Sequence, residues 1–335
     1  MNSTLKQRKV TPNPNPDITN NNNFTHSVEV DKNNINSNII DFFQVKSSRD
    51  IIWSHATNSA YKLAVALASE CHMIEADILM GTCPSHPATI AIMSHPPHKR
   101  SDISFEDFIL SIHNANKTFI GKGDQYLKKG VKLDFKDPDS LVPCLKFLKA
   151  LNFDAPIFIN ADIWRGLGGK KCEFLPKNFF KACKSFLPNA TISIGWKVGK
   201  SYKLLCKCAG YTMKQVDQAI ADIDDAYPLL NDGNKNNMKR PHITFPLQTL
   251  MARQSNDDVI IKLLNVGSIT FWGEARDEDV EWTHTLNGII YMDTLEPSLQ
   301  AKYLITYALP VLLTGCGVFA LTMIFQMFGN VGQFT

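Results

Sequence analysis

Acidic side chains recur within two short apolar segments in the first half of this 335-residue chain. Glu75 and Asp77 lie in the run MIEADIL, and Asp134 lies with Lys136 in the run GVKLDFK. Alternate residues of a β-strand share a face, so each of these pairs projects to one side of its strand. If the two strands are neighbours, three carboxylates and one ammonium group meet in one place.

Carboxylates held together repel one another, and a hard divalent cation with oxygen ligands relieves that repulsion. The sequence therefore predicts Glu75, Asp77 and Asp134 as ligands of Mg²⁺ or Ca²⁺. Lys136 would stand beside the ion as a compact positive charge suited to a phosphate oxygen. We therefore predict Lys136 as a catalytic residue.

Two histidines follow neighbouring apolar runs: His55 after IIWS and His95 after TIAIMS. An imidazole has an unperturbed pKa of about 6.5, which suits proton transfer at neutral pH. We predict these residues as the catalytic acid and base without dividing the roles. Further polar or aromatic residues at strand ends are predicted to bind substrate: Asn160, Asp162, Trp196 and Trp272. Each alone is as readily a turn residue or a salt-bridge partner, but their recurrence at successive strand ends favours a shared site.

The elements that must position these residues alternate between short β-rich runs and helical stretches. Eight strands are predicted, at residues 51–53, 73–79, 89–93, 131–135, 157–160, 191–196, 242–245 and 268–272, and a ninth apolar run at 289–292 has no assigned place. Helices are predicted at residues 58–70, 104–116, 139–151, 177–186, 212–227 and 256–265. Repeated strand and helix units indicate an α/β fold, a (β/α)8 TIM-type barrel over residues 46–300. An open doubly wound sheet is the alternative.

The two ends of the chain differ from this domain. Residues 1–45 are rich in Asn and lack apolar periodicity, which predicts a disordered arm. Residues 303–328 contain no charged side chain and are long enough to cross a hydrocarbon core of roughly 30 Å, which predicts one transmembrane helix near the C-terminus. A buried core helix is the alternative. The barrel would be cytosolic in a tail-anchored protein and extracellular if exported, and both remain open.

The remaining composition excludes some classes of function. The net charge of +3 gives no reason to expect nucleic acid as a partner. The eight cysteines contain no CxxC pair, so a zinc knuckle is not indicated.

Several segments together resemble the menorin family: WSHATNS, MIEADIL, MSHPP followed by SFEDF, GVKLDFK, INADIW, ISIGW and ITFPL. The domain of that family is similar to barrel phosphodiesterases, namely the glycerophosphodiester phosphodiesterases and the spider-venom type phospholipase D enzymes. The resemblance implies a His55 and His95 acid/base pair, a metal on Glu75, Asp77 and Asp134, and an aromatic headgroup contact at Trp272. Glycerophosphodiester enzymes commonly carry Arg and Asp where this chain has Ala56 and Pro96, so one phosphate clamp is missing.

The leading hypothesis is a membrane-anchored, metal-dependent phosphodiesterase that acts on phospholipid or glycerophosphodiester headgroups by histidine acid/base catalysis. Its partners would be membrane lipid, through the C-terminal helix, and a phosphodiester ligand. The alternative is a non-catalytic binding or adhesion module on the same barrel. A purely structural barrel with a vestigial pocket is a third possibility.

Overall fold

The computed structural model describes residues 39–118, 128–199, 209–228 and 240–294. Within these ranges one sheet contains nine strands. The strands are β1 (Trp53–Ser54), β2 (Met73–Cys83), β3 (His86–Met93), β4 (Gly130–Phe135), β5 (Ile157–Arg165), β6 (Thr191–Lys197), β7 (Ile243–Gln248), β8 (Ser268–Gly273) and β9 (Ile290–Thr294).

Eight of these described strands are parallel and follow the order β1-β2-β4-β5-β6-β7-β8-β9. The order runs steadily around the sheet instead of reversing midway, as a doubly wound sheet does. The two ends of the order meet, because β1 lies beside β9. There the hydroxyl of Ser48 donates to the carbonyl oxygen of Ile290 at 2.8 Å and accepts from its amide at 3.2 Å. The predicted barrel is thus confirmed as a nearly closed parallel barrel.

One of the eight strands predicted for the barrel is a strand but does not belong to the barrel, so that prediction is wrong. The run at residues 89–93 belongs to β3, which pairs antiparallel with an extension of β2 and lies outside the barrel order. Only two residues connect β2 to β3, and a parallel connection needs a crossover of a dozen or more. The eighth place is taken by β9, the run that had no assigned place in the sequence.

All six predicted helices are present, with ends shifted by a few residues. The described helices are α1 (Ala60–Leu67), α2 (Phe105–Thr118), α3 (Pro138–Leu151), α4 (Pro176–Phe186), α5 (Met213–Ala226), α6 (Thr249–Arg253), α7 (Asp257–Val266) and α8 (Asp277–Thr285). Local capping explains several ends: Asp137 accepts a hydrogen bond from the amide of Ser140 at the start of α3, and Asn152 ends that helix in the left-handed conformation. In the described ranges, α6 and α8 were not predicted.

Two apolar layers hold the barrel together. The larger core lies between the sheet and the outer helices. Inside the barrel, the half nearer the N-terminal strand ends is filled by Trp53, Phe158 and Tyr291, whose rings meet edge to face at centroid distances of 5.4 to 6.2 Å. This apolar plug leaves the opposite half of the interior for polar side chains.

The predicted N-terminal arm ends earlier than residue 45, because residues 39–43 are helical and bury Ile39 and Phe43 against the same interior cluster. The rest of the arm lies outside the described residues. No helix within the described ranges is long and apolar enough to cross a membrane. The predicted transmembrane segment at residues 303–328 also lies outside them.

The buried imidazole of His72 makes the stability of the fold depend on pH. Its Nδ1 accepts a hydrogen bond from the amide of Ile52 at 3.0 Å, so the ring must be neutral there. Burial, with a smaller contribution from the positive charge of Lys129, lowers the pKa of His72 to about 4. An unfolded histidine takes up a proton near pH 6.5, so the stabilisation is complete above that pH and is lost as the pH falls toward 4.

We predict that His72→Asn weakens this acid dependence, because the side-chain oxygen of asparagine can accept the same hydrogen bond without titrating. The difference in unfolding free energy between pH 7 and pH 4 should shrink by about 3 kcal/mol, measured by urea unfolding. His284→Asn, at an exposed position, is the matched control. Equal pH dependence in His72→Asn and the wild type would contradict the assignment.

Candidate active site

The parallel pairing of β2 with β4 brings the predicted acids together. In the register of this strand pair, Glu75 lies opposite Lys132 and Asp77 lies opposite Asp134. One oxygen from each of Glu75, Asp77 and Asp134 lies within 4.8 Å of the others. The predicted convergence of three carboxylates is therefore observed, while metal binding itself stays a prediction.

Lys136 sits among these acids. Its ammonium nitrogen lies 2.5 Å from Asp134 Oδ2 and 3.0 Å from Asp77 Oδ1. Burial works against the charged form, but the carboxylates of Asp134 and Asp77 raise the pKa of Lys136 well above its usual value. The side chain is a fixed positive charge between two of the three candidate ligands.

The loop after β1 approaches Glu75 from the other side. The amide of Ala56, which has a positive φ of 51°, donates to Glu75 Oε2 at 2.7 Å. His55 Nδ1 lies 3.2 Å from that oxygen and 3.0 Å from Asp293 Oδ1. Burial alone would lower the pKa of His55, but Asp293 and Glu75 raise it to about 9. With Nδ1 held by two carboxylates, Nε2 is the ring nitrogen available for proton exchange.

Asp293 and Lys132 form a buried ion pair that sequence reasoning did not assign to the site. Lys132 Nζ lies 2.5 Å from Asp293 Oδ2, and both side chains are almost completely buried. Lys132 and His55 hold the pKa of Asp293 below its usual value despite the opposing effect of burial. The ammonium group also lies 5.7 Å from the ring centroid of Trp53. The pair thus separates the apolar plug from the acidic cluster above it.

Asn58 and His95 complete the surroundings of Asp77. The side-chain amide of Asn58 donates to Asp77 Oδ2 at 2.6 Å and accepts from the Asp77 amide at 2.8 Å. Burial opposes ionisation of Asp77, but Lys136, Asn58 and, to a smaller extent, His95 keep its pKa below the usual range. His95 is exposed, and β3 returns it to this edge because the amide of Ser94 donates to the carbonyl oxygen of Asp77 at 2.9 Å.

The strand-end residues of β5 extend the polar interior. Asn160 is buried and accepts a hydrogen bond from the hydroxyl of Ser193 at 2.5 Å. Burial raises the pKa of Asp162 to about 6, against the opposing effect of Lys136. Asp162 lies opposite Gly195, where a Cβ atom would approach its Oδ1 to 3.1 Å.

The two tryptophans that were predicted to bind substrate, Trp196 and Trp272, lie on different sides of the barrel wall. Trp196 does not join the cluster: its ring is buried outside the barrel, tilted against Trp164 at 5.2 Å and stacked on Phe245 at 6.2 Å. The alternation of strand residues explains this position, since Gly195 occupies the inward place on β6. Trp272 is half-buried near the end of β8, in register with Asp293, and lies on the strand face that points into the barrel.

Of the two site residues that the sequence analysis missed, Lys132 and Asp293, the sequence contained a recognisable pattern only for Lys132. Lys132 shares the alternation of Asp134 and Lys136, so its inward direction follows from the sequence. Asp293 follows an apolar run whose position in the barrel depends on closure. Its partnership with Lys132 spans 161 residues of the chain, and no local pattern encodes it.

A divalent cation fits this donor set. Among the described residues around the cluster, five carboxylates (Glu75, Asp77, Asp134, Asp162 and Asp293) face two ammonium groups and the imidazolium of His55, which leaves two negative charges in excess. Burial raises the pKa of Glu75 to about 7, with a smaller contribution from the Asp77 carboxylate and against the opposing effect of His55. The candidate ligands are all carboxylate oxygens, the type that Mg²⁺ and Ca²⁺ prefer.

We predict that the buried ion pair matters for stability mainly when only one partner is removed. Asp293→Asn leaves the Lys132 ammonium without its counter-charge and should cost about 3–5 kcal/mol of unfolding free energy. Adding Lys132→Met should recover much of that loss, as measured by urea unfolding in a double-mutant cycle. The exposed pair of Lys262 and Asp217, 2.6 Å apart, is the control and should contribute less than about 1 kcal/mol. Additive losses at Lys132 and Asp293 would contradict the coupling.

Comparison with known proteins agrees with this architecture. The family model for the menorin N-terminal domain matches residues 47–296, a range that contains all nine described strands and every candidate site residue. The chain is 29% identical to Protein FAM151B of Homo sapiens over 279 residues, which cover 78% of this chain and 90% of that protein. The chain belongs to the menorin family.

Proposed function

We propose that this protein is a membrane-anchored, metal-dependent phosphodiesterase that cleaves phospholipid or glycerophosphodiester headgroups. The observation that carries the proposal is the convergence of Glu75, Asp77 and Asp134 beside His55 and Lys136 at the carboxyl ends of the barrel strands. Catalytic groups in parallel barrels of this kind lie at that end. The resemblance of the motifs to barrel phosphodiesterases supports the same reaction class.

In this proposal the three acids and Lys136 have different roles in binding the phosphodiester. Glu75, Asp77 and Asp134 would hold Mg²⁺ or Ca²⁺, which supplies positive charge to a phosphodiester in its transition state. Lys136 binds a non-bridging phosphate oxygen and orients the phosphorus for attack. Asp77 and Asp134 hold that ammonium group in place.

In this proposal His55 and His95 transfer the protons. Asp293 and Glu75 fix the ring of His55, so Nε2 exchanges the proton. His95 lies near Asp77 at the open edge of the site, and together the pair can deprotonate a nucleophile and protonate the leaving oxygen. Trp272, half-buried near the end of β8, would contact the headgroup.

We predict that the purified protein binds Mg²⁺ or Ca²⁺ through the three acids. Calorimetric titration should show one divalent ion per chain, and Asp134→Asn should weaken binding at least tenfold, because it removes a charged ligand. Asp139→Asn, on the exposed first turn of α3, is the matched control and should bind as the wild type does. Saturable binding that is unchanged in Asp134→Asn would place the ion elsewhere.

We predict that hydrolysis depends on both histidines. His55→Ala and His95→Ala should each lower kcat/KM on a reactive phosphodiester or a phospholipid panel by about 10²–10⁴-fold, the contribution typical of a general acid or base. His98→Ala changes an exposed histidine three residues from His95 and should leave the rate unchanged. Hydrolysis that persists in the His55→Ala, His95→Ala double variant would remove the basis of the proposal.

A second candidate function, a non-catalytic binding or adhesion module, is favoured by one observation. The ammonium group of Lys136 already bridges Asp77 and Asp134, so part of the acidic charge is compensated without an ion. The absence of an arginine at Ala56 points the same way. Ion binding without release of any headgroup from the panel would favour this function over the enzyme.

A further inference from the structure

The described chain leaves the barrel at the edge that carries the acidic cluster. β9 is parallel to β8, and its last residue, Thr294, pairs with Gly273 at the carboxyl end of that strand. Asp77 and Asp134 lie near the carboxyl ends of β2 and β4, at the same end of the barrel. We call this end the mouth.

A short stretch of sequence separates this exit from the apolar C-terminal segment. Residues 295–302 lie between Thr294 and the uncharged run at 303–328. Even a fully extended chain gains at most about 3.6 Å per residue, so these residues span under about 30 Å. Reaching the opposite end of the barrel would use about 20 Å of that length along a six-residue strand, before passing any outer helix. Attachment at 303 therefore favours a bilayer on the side of the mouth.

Exposed basic side chains form an arc on the mouth, on loops beside β2 and after β5. Lys99 and Arg100 follow β3, and Lys170 and Lys171 follow β5, all with exposed side chains. The loop after β5 is four strand places from β9, and the loop beside β2 is two places from it. Acidic residues lie on the exit side, with Glu274 directly after β8 and Asp277 and Glu278 in the first turn of α8. The tether and the basic arc are therefore two separate points on one surface.

We infer that the mouth faces the membrane that holds the C-terminal segment, with the basic arc against anionic lipid headgroups. Basic residues near an anionic surface are attracted to it, and the effect falls off within a Debye length. The substrate class that follows is a lipid headgroup within that membrane, not a free glycerophosphodiester. The inference rests on the membrane attachment in the proposed function, and it does not depend on hydrolysis.

Site-directed photocrosslinking in the full-length protein tests the orientation. A benzophenone amino acid replaces Lys171 or His98 at the mouth, and in a matched control it replaces Asn189, an exposed residue just before β6 at the opposite end. Each variant is reconstituted in vesicles of phosphatidylcholine and phosphatidylserine that contain a clickable lipid. Irradiation should attach lipid at positions 171 and 98 and not at 189.

Charge reversal tests the basic arc in the same vesicles. With the photoreactive residue at position 98, Lys170→Glu should lower lipid attachment roughly fivefold, and Lys171→Glu should add a similar factor. Lys146→Glu with Lys149→Glu, at exposed positions in the second half of α3 and away from the mouth, is the matched control and should change nothing. The decrease should vanish in vesicles of phosphatidylcholine alone.

The outcomes separate this inference from the enzymatic proposal. Equal attachment at positions 171 and 189, or attachment at 189 alone, would overturn the orientation whether or not the protein hydrolyses lipid. Failure of the full-length protein to float with vesicles would overturn both the attachment and the orientation. Lipid attachment at the mouth without any hydrolysis would support the orientation and leave a headgroup-binding module.

Discussion

The central physical constraint on this barrel is the compensation of carboxylate charge in an interior that excludes water. Several acids share a small volume beside a plug of aromatic rings, and each is ionised only where a cation or a hydrogen-bond donor faces it. The buried pair of Lys132 and Asp293 is the deepest of these contacts. It connects β4 with β9, so one contact contributes both to the charge balance of the site and to the closure of the barrel.

This arrangement links stability to function. Asp293 Oδ2 forms an ion pair with the ammonium group of Lys132, and Asp293 Oδ1 lies 3.0 Å from Nδ1 of His55. One buried carboxylate therefore contacts both the candidate catalytic residue His55 and the buried ammonium group of Lys132. The excess negative charge lies nearer the mouth, at Glu75, Asp77 and Asp134, where a divalent ion and a substrate could enter. The interior thus changes from apolar plug to fixed ion pair to acidic pocket along the barrel axis.

His95 was predicted to follow a strand of the barrel, and the assignment of that strand was wrong. The run before it was predicted to be a barrel strand, but it is the return strand of an antiparallel pair with β2. His95 still reaches the mouth, because the hairpin brings Ser94 back to the carbonyl oxygen of Asp77. Trp196 shows the opposite case: the strand was correct, but the alternation places Gly195 inside and the indole outside. A strand end predicts a location along the barrel and does not predict the direction of a side chain.

The sequence by itself determined the alternation of strands and helices, the shared face of Glu75 with Asp77 and of Asp134 with Lys136, and the family. These properties are local, because strand periodicity and helix caps depend on residues a few positions apart. Only the tertiary structure decided that β9 takes the eighth place and that Asp293 serves both His55 and Lys132. The physical reason is closure: β9 meets β1 and faces β4 only when the whole sheet curls, so the contacts of Asp293 join residues more than 150 positions apart.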